Sequence, residues 1–443
     1  MELCGWGRYP RCQTEMIEIE DPIAVPRLHR DMTNFVVRGN GRAYGDAAVG
    51  TGVTLAARRL DRMVAFDSIT GNLAVEAGVL LADILLTFIP RGYFPHVVPG
   101  TKLATVGGMI AADVHGKNHH CEGGFGDQVE SLQLALPTGE TIRCSRLENT
   151  DLFFATIGGM GLTGTIVEAT LRLKRIETGW MRGRTVVAAN LGEAMAALQN
   201  GSDATYSVAW IDCFARGSSV GRSLIYLAEH ATFADLDELE PSAQPFVTAS
   251  QSRITVPFDL PGWILNRNSV ATFNDLYFRR GARKAAETHL FHWDPYFFPL
   301  DGIHHWNRIY GRRGFLQHQC VIPMRHAYSA LGEILERISR CGNGSFLAVL
   351  KQLGGSQGLL SFPMEGFTLA IDFPVSKEIF QLLDEVDRLV VSAGGRIYLA
   401  KDARQSRDTF EAGYPRLGEF RDFRRSSGAN LRIVSHLARR LGI

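Results

Sequence analysis

After Gly164 apolar and polar side chains alternate. Val167, Ala169, Leu171 and Leu173 share one side, and Glu168, Thr170, Arg172 and Lys174 the other. A period of two with one apolar side predicts a half-buried strand. Phe35, Val36 and Val37 predict another strand, which runs straight into a glycine-rich segment, and residues 73–76 a third. Residues 78–89 predict a helix, because Pro90 and Gly92 stop it. Residues 105–112 read as a helix start rich in small side chains, and residues 151–156 as a further helix. Near the C-terminus, residues 395–404 predict a strand in a helical context, followed by a basic helical tail to Ile443. From about residue 177 glycine thins out and aromatics gather, most densely at His292-Trp293-Asp294-Pro295-Tyr296-Phe297-Phe298. A domain boundary is expected near residue 177, since 443 residues exceed one compact core.

Composition narrows the class. Hydrophobic residues make up 45% and charged residues 21%, the balance of a globular protein. With 47 basic against 46 acidic residues, the chain has no electrostatic footprint for nucleic acid. A local phosphate patch stays open. The seven cysteines (Cys4, Cys12, Cys121, Cys144, Cys213, Cys320 and Cys341) are odd in number and show no Cys-x-x-Cys spacing. That argues for scattered thiols in a reducing compartment and against a disulfide framework or zinc. The N-terminus lacks the apolar core of a signal peptide, and no run of roughly 18 apolar residues occurs. A cytoplasmic protein is expected, with membrane surface contact left open.

Gly159, Gly161 and Gly164 spell Gly-x-Gly-x-x-Gly. In a dinucleotide fold a strand precedes that fingerprint and a helix follows. Here the expected order is reversed, so a turn permitting close backbone approach is the better reading.

Two other clusters suit a diphosphate. Gly39, Gly41 and Gly45 follow a strand, where a sharp turn can expose consecutive N–H groups to an anion. Residues 105–108 open a helix, whose unsatisfied N–H groups and dipole favour phosphate. A polar run follows: Asp113, Val114, His115, Gly116, Lys117, Asn118, His119 and His120. Such side chains are costly to bury without partners. Adjacent histidines on an extended chain point apart, and no spaced carboxylate joins them, which disfavours a metal. A polar wall over a cofactor ring is favoured instead.

Read in order, the segments GWGR, RGNGRAYGD, PGTKLATVGGMIAADVHGKNHH, GGMGLTG, WNRIYGRRGFLQHQCVIP and YLAKDAR carry a resemblance. The chain resembles the decaprenylphosphoryl-ribose oxidase family, flavin subunits of sugar 2′-epimerases, within the vanillyl-alcohol-oxidase-type FAD superfamily. The likeness runs from Gly5 into the C-terminal tail. It implies an α+β, two-domain fold. Residues 1–178 with 397–443 would form the FAD domain, and 179–396 an inserted antiparallel-sheet substrate domain.

By the same resemblance the diphosphate would lie against Arg38, Gly39, Asn40, Gly41, Arg42, Ala43, Tyr44, Gly45, Asp46 and Ala47. Thr105, Val106, Gly107 and Gly108 would face it, with Gly100, Ala112, Asp113, Val114, His115, Ile166 and Tyr398 completing the cofactor contacts. Arg42 stands where many superfamily members carry a flavin-linked histidine, which implies non-covalent FAD. Hydride removal from a secondary alcohol needs a base for the hydroxyl proton and a sugar held in register. Lys401 is the leading candidate, either as base with a depressed pKa or as a cation stabilising the reduced ring. His115 is a candidate relay, and Tyr44 and Gln317 are further catalytic candidates. Lys117, Trp210, Gln317, Gln319, Lys351, Ala370 and Lys401 would contact substrate, with Trp306 nearby. Arg308 and Lys351 are candidates for its phosphate by charge alone. Better-known members carry cysteine where this chain has Ala370, and Thr368 and Phe297 replace Asn and Tyr.

The implied reaction oxidises the 2′-hydroxyl of a polyprenylphosphoryl pentose, such as decaprenylphosphoryl ribose, to the keto sugar. This would be the first half of an epimerisation supplying arabinose to cell-wall polysaccharide. A separate NAD(P)H-dependent keto-reductase would complete it. The alternatives are a stand-alone sugar, alditol or aldonolactone oxidase that uses oxygen, and a flavin-free binding protein. A lipid substrate would require peripheral membrane contact, although no amphipathic helix for it is visible in the sequence.

Overall fold

The computed structural model describes residues 1–246, 254–285, 287–342 and 344–443. Three sheets organise them. Strands Glu15–Glu18, Val53–Ala56 and Phe35–Arg38 form a small parallel sheet. An antiparallel sheet runs in the order Thr141–Ser145, Val129–Ala135, Thr165–Arg175, Asn72–Glu76, Met63–Phe66. Tyr93–Pro95 pairs with the far end of its central strand. The alternation after Gly164 is seen directly: Val167, Ala169, Leu171 and Leu173 are buried, whereas Arg172 is exposed. Helices Leu81–Phe88, Val106–Ala111 and Thr150–Thr156 seal the apolar face, sharing a core through Leu85, Ile110 and Phe153. The first of these starts later than its sequence pattern suggests. Gly78 belongs to a tight crossing, where a Cβ would stand 2.1 Å from the Ala57 carbonyl oxygen.

The third sheet has eight strands, in the order His289–His292, Trp180–Ala188, Ser223–His230, Tyr206–Ile211, Ala348–Leu353, Gly366–Pro374, Phe315–Pro323, Arg396–Ile397. Helices Leu191–Asn200, Met324–Cys341 and Lys377–Ser392 cover one face. Each offers a stripe at helical spacing, such as Leu331, Ile334, Leu335 and Ile338. The other face is left for the site. Trp293, Phe297 and Phe298 leave this sheet's neighbourhood and insert beside Phe94 in the first core, so the two halves share apolar contact.

The strand expected over residues 395–404 is cut short. It ends at Ile397, because the Tyr398 carbonyl accepts from the amides of both Lys401 and Asp402 at 3.0 Å and closes a turn. The apolar run that suggested a strand is buried without being extended. The tail is helical as expected (Leu417–Ser426, Ala429–Arg432 and His436–Leu441), and Val434 returns to donate to the Phe35 carbonyl at 2.8 Å. The seven cysteines are free thiols. Among the described residues no helix is long and apolar enough to cross a membrane.

His29 joins the first helix to the central sheet. Its Nδ1 bonds the Leu136 carbonyl at 2.8 Å and its Nε2 the Thr165 hydroxyl at 2.7 Å. Burial pulls its pKa down to about 4, against the opposing Leu136 bond. The unfolded imidazole protonates first, so this contribution is complete above the unfolded pKa and is lost as pH falls toward 4. We expect ~3 kcal/mol of acid sensitivity from this residue. Urea midpoints of the parent and His29→Gln, compared at neutral and mildly acidic pH, test it; the variant's loss on acidification should be the smaller.

Candidate active site

A cavity of about 700 Å³ lies between the glycine loops and the free face of the eight-stranded sheet. The Phe35–Arg38 strand delivers the first loop to its wall. Arg38 itself does not face the cavity; its guanidinium donates to the Cys4 carbonyl at 2.9 Å and the Ala48 carbonyl at 3.3 Å, fixing the base of the loop. Among the described residues, the amides of Gly39, Asn40, Gly41, Arg42 and Ala43 donate to no protein acceptor. Glycine is required here, since Gly41 has φ +64° and a Cβ on Gly39 would stand 2.1 Å from Thr105 Oγ1. Consecutive free amides of this kind form an anion nest.

The second expected phosphate donor set does not form. Val106 N–H donates to the Val79 carbonyl at 2.9 Å, Gly107 N–H to Ala77 at 2.8 Å, and Gly108 N–H to Thr105 Oγ1 at 3.2 Å. The helix start is closed by its own cap and by two carbonyls about 28 residues earlier in the chain. Gly107 and Gly108 instead supply a wall without side chains. The Gly159–Gly164 turn contributes likewise: a helix precedes it, a strand follows, and Gly161 and Gly164 line the cavity.

These walls fit a dinucleotide. A Cβ on Gly100 or Gly161 would meet nothing within 4 Å, and buried Arg42 Nε has no partner among the described residues. Asn40, Ala43, Tyr44, Ala47, Thr105, Ala112, Val114, Ile166 and Tyr398 also line the space, and Tyr398 is fixed by its hydroxyl on the Ala112 carbonyl at 2.9 Å. Besides Arg38, four expected contacts lie behind the wall. Val106 is core, and Gly45 packs on the Asp402 carbonyl. Asp113 accepts from Ser361 Oγ and Gly126 N–H, while burial raises its carboxyl to about 6. Asp46 pairs with Arg440 at 2.8 Å, and Arg440 also meets Asp402 at 2.9 Å. This clamp ties the tail to the glycine loop. Arg440→Met should strand two buried carboxylates, costing ~3–5 kcal/mol in denaturant unfolding.

Strand register builds the opposite wall. Gln319 is paired with Ala370, Ala370 with Val349 and Val349 with Trp210; beside that row Gln317 meets Asp372 and Lys351 meets Thr368. Period two puts all of these side chains on the face toward the cavity; all but Asp372 line it, and Asp372 lies beside Gln317, whose amide donates to it at 2.5 Å. His115 reaches across from the glycine side. Lys351 Nζ lies 3.1 Å from its Nδ1, and the Gln319 amide 2.8 Å from its Nε2 and 3.1 Å from Thr368 Oγ1. Burial, reinforced by Lys351, His119 and Lys401, holds the His115 pKa well below its ordinary value, so the ring is neutral.

Lys401 Nζ stands 3.6 Å from the centroid of the Tyr44 ring. Burial lowers its pKa; Asp372 opposes that and Lys351 adds to it. Burial raises Asp372, against Gln317 and Lys401. Lys117 donates to the Tyr296 carbonyl, with its pKa brought to about 7 by burial and then by Lys351, while burial brings Lys351 to about 8. Arg308 does not join them. Two residues past the cavity-lining Trp306, it turns away and donates to the Val256 and Pro257 carbonyls at 3.1 and 2.9 Å. Asp301, unmarked by any local pattern, lines the cavity and accepts from Thr101 Oγ1 at 2.8 Å and Lys102 N–H at 2.7 Å.

His119 and His120 lie on the short helix His119–Glu122 and not on extended chain. They still part company: His119 Nδ1 accepts from the Gly354 amide and His120 Nε2 meets the Ala204 carbonyl. Among the described residues no group of three or more His, Cys, Asp or Glu is placed to hold a metal.

An FAD binding domain family matches residues 20–145. Decaprenylphosphoryl-β-D-ribose oxidase from Mycolicibacterium smegmatis is 36% identical, over 99% of this chain and 97% of its own. The chain belongs to the decaprenylphosphoryl-β-D-ribose oxidase family. FAD is its cofactor, and it is an FAD-dependent oxidoreductase. L-Gulonolactone oxidase from Mus musculus is more distant, at 27% identity over 38% of this chain and 39% of its own. D-Lactate dehydrogenase from Anaerostipes hadrus is also 27% identical, over 39% and 38%.

Proposed function

We propose that this enzyme oxidises the 2′-hydroxyl of a polyprenylphosphoryl pentose to the 2-keto sugar, with non-covalently held FAD. The supporting observation is the lysine-lined end of the cavity, where Lys117 and Lys351 are available to an anion on the wall that carries neutral His115 and Lys401. A phosphorylated sugar offers the anion such a cluster needs, which a free alditol lacks. Residues 1–178 with 397–443 would serve as the cofactor unit, and 179–396 as the substrate unit.

When bound, FAD supplies the hydride acceptor. Lys401 holds its Nζ against Tyr44 and, in the neutral form favoured by burial, takes the hydroxyl proton. Gln317, braced by Asp372, and Gln319, braced by His115 and Thr368, orient the sugar hydroxyls. Lys117 and Lys351 receive the phosphate. Ala370 leaves room where a larger side chain would press on the sugar. A separate keto-reductase would complete the epimerisation. A cytoplasmic setting with peripheral membrane contact belongs to the same proposal and is supported by the free thiols.

Turnover with a polyprenylphosphoryl pentose, compared with free pentose, alditols and aldonolactones while hydrogen peroxide is measured, tests the proposal. Preference for the lipid-linked sugar supports it. Faster, peroxide-forming oxidation of a free alditol or lactone would replace it with a stand-alone oxidase.

A further inference from the structure

Exposed apolar side chains on a soluble protein are ordinarily scattered. Here four of the six large exposed aromatics among the described residues fall between residues 254 and 277: Phe258, Trp263, Phe273 and Tyr277. Trp263 is 75% exposed and Leu276 63%. Helix Arg267–Arg283 explains part of the pattern. Val270 and Asn274 are buried, and Gly281 packs on Leu224, which fixes its inner side. Phe273, Leu276 and Arg280 are therefore exposed along one flank of the helix, apolar first and basic after, while Tyr277 turns toward the cavity.

Basic side chains outnumber acidic ones around it. Arg267, Arg279, Arg280, Arg283 and Lys284 are exposed, as is Arg313, whose guanidinium lies 3.7 Å from the Cβ position of Gly262 beside Trp263. Asp259 pairs with Arg8, and Asp275 with Arg222 and Arg279, which leaves exposed Glu287 as the acidic side chain near Lys284 and Arg267, Arg280, Arg283, Lys284 and Arg313 as the basic fringe. The same segments frame the cavity. Tyr277 lines it, 4.8 Å from the Trp210 ring. Ile254–Thr255 pairs with Ile303–His304, and Ile303 and His304 line it as well.

We infer that this surface docks on an anionic lipid bilayer, with Trp263, Phe273 and Leu276 entering the interface and the arginines meeting headgroups. Aromatic and aliphatic side chains beside a basic fringe are the make-up of interfacial helices, and a bilayer supplies both the apolar layer and the negative charge. Docked this way, the cavity opens toward the lipid phase. Its purpose rests on the lipid-linked substrate proposed above, whereas the binding itself does not.

Flavin-loaded enzyme is sedimented with vesicles of pure phosphatidylcholine or of phosphatidylcholine with phosphatidylglycerol. Binding to the anionic vesicles that weakens with salt is expected. Trp263→Ser with Leu276→Ser, and separately Arg280→Ala with Arg283→Ala, should each lower it at least tenfold. Both variants should keep their flavin and their turnover of a short-chain, soluble polyprenylphosphoryl pentose. Failure of the parent to bind anionic vesicles overturns the inference, and so does undiminished binding by both variants. A parent that dimerises in light scattering, with the variants monomeric, would assign the face to a second copy of the chain and overturn it too. Loss of short-chain turnover in the parent would count against the proposed reaction alone.

Discussion

Replacing Lys401 by methionine lowers the rate of flavin reduction by substrate roughly 10²–10⁴-fold, the range of a lost acid–base group. Methionine keeps the volume and removes the nitrogen that stands over Tyr44. Retention of flavin in the variant separates chemistry from cofactor binding. The pH profile assigns the role. As a base Lys401 must be neutral, so kcat/KM rises as pH climbs through its burial-lowered pKa and then levels. A profile that falls over the same range would show that the cation is required. Asp372→Asn sharpens the test: losing the carboxylate that favours the charged lysine moves the rise to lower pH.

Gly100→Phe gives the second large effect. A Cβ there meets nothing within 4 Å, so the folded chain accepts the ring. The ring then occupies cofactor space. We expect a folded, colourless protein whose affinity for FAD drops by at least 100-fold, about 3 kcal/mol. Flavin titration checks the loss, and an unchanged thermal midpoint of the flavin-free proteins shows that folding is spared. Bright yellow Gly100→Phe protein would mean that the dinucleotide lies elsewhere.

Local pattern carried much of this structure. The Thr165–Arg175 strand, the Val106–Ala111 helix and the reversed order around Gly159–Gly164 were all readable, because each depends on neighbours in sequence. The glycine loop was readable for the same reason. What failed depended on distant partners. Whether the amides of residues 106–108 are free is decided by the carbonyls of Ala77 and Val79 and by the Thr105 cap. Arg308 was chosen by charge, and its direction is set by a short turn that faces Trp306 inward. Residues 398–402 look like strand, and they turn because two amides share one carbonyl. Asp372 was within reach: it stands two residues beyond Ala370 on the same strand, where alternation alone puts it on the site's side of the sheet.

We propose above that this FAD enzyme carries out the oxidation of a lipid-phosphate-linked pentose. Its most direct test is an anaerobic spectrum of the flavin-loaded protein before and after adding polyprenylphosphoryl ribose, followed by acid precipitation. The flavin bands should bleach with formation of the 2-keto sugar, and precipitation should release the flavin into the supernatant. Bands that persist in the presence of that substrate, yet bleach with a free alditol or lactone, would contradict it.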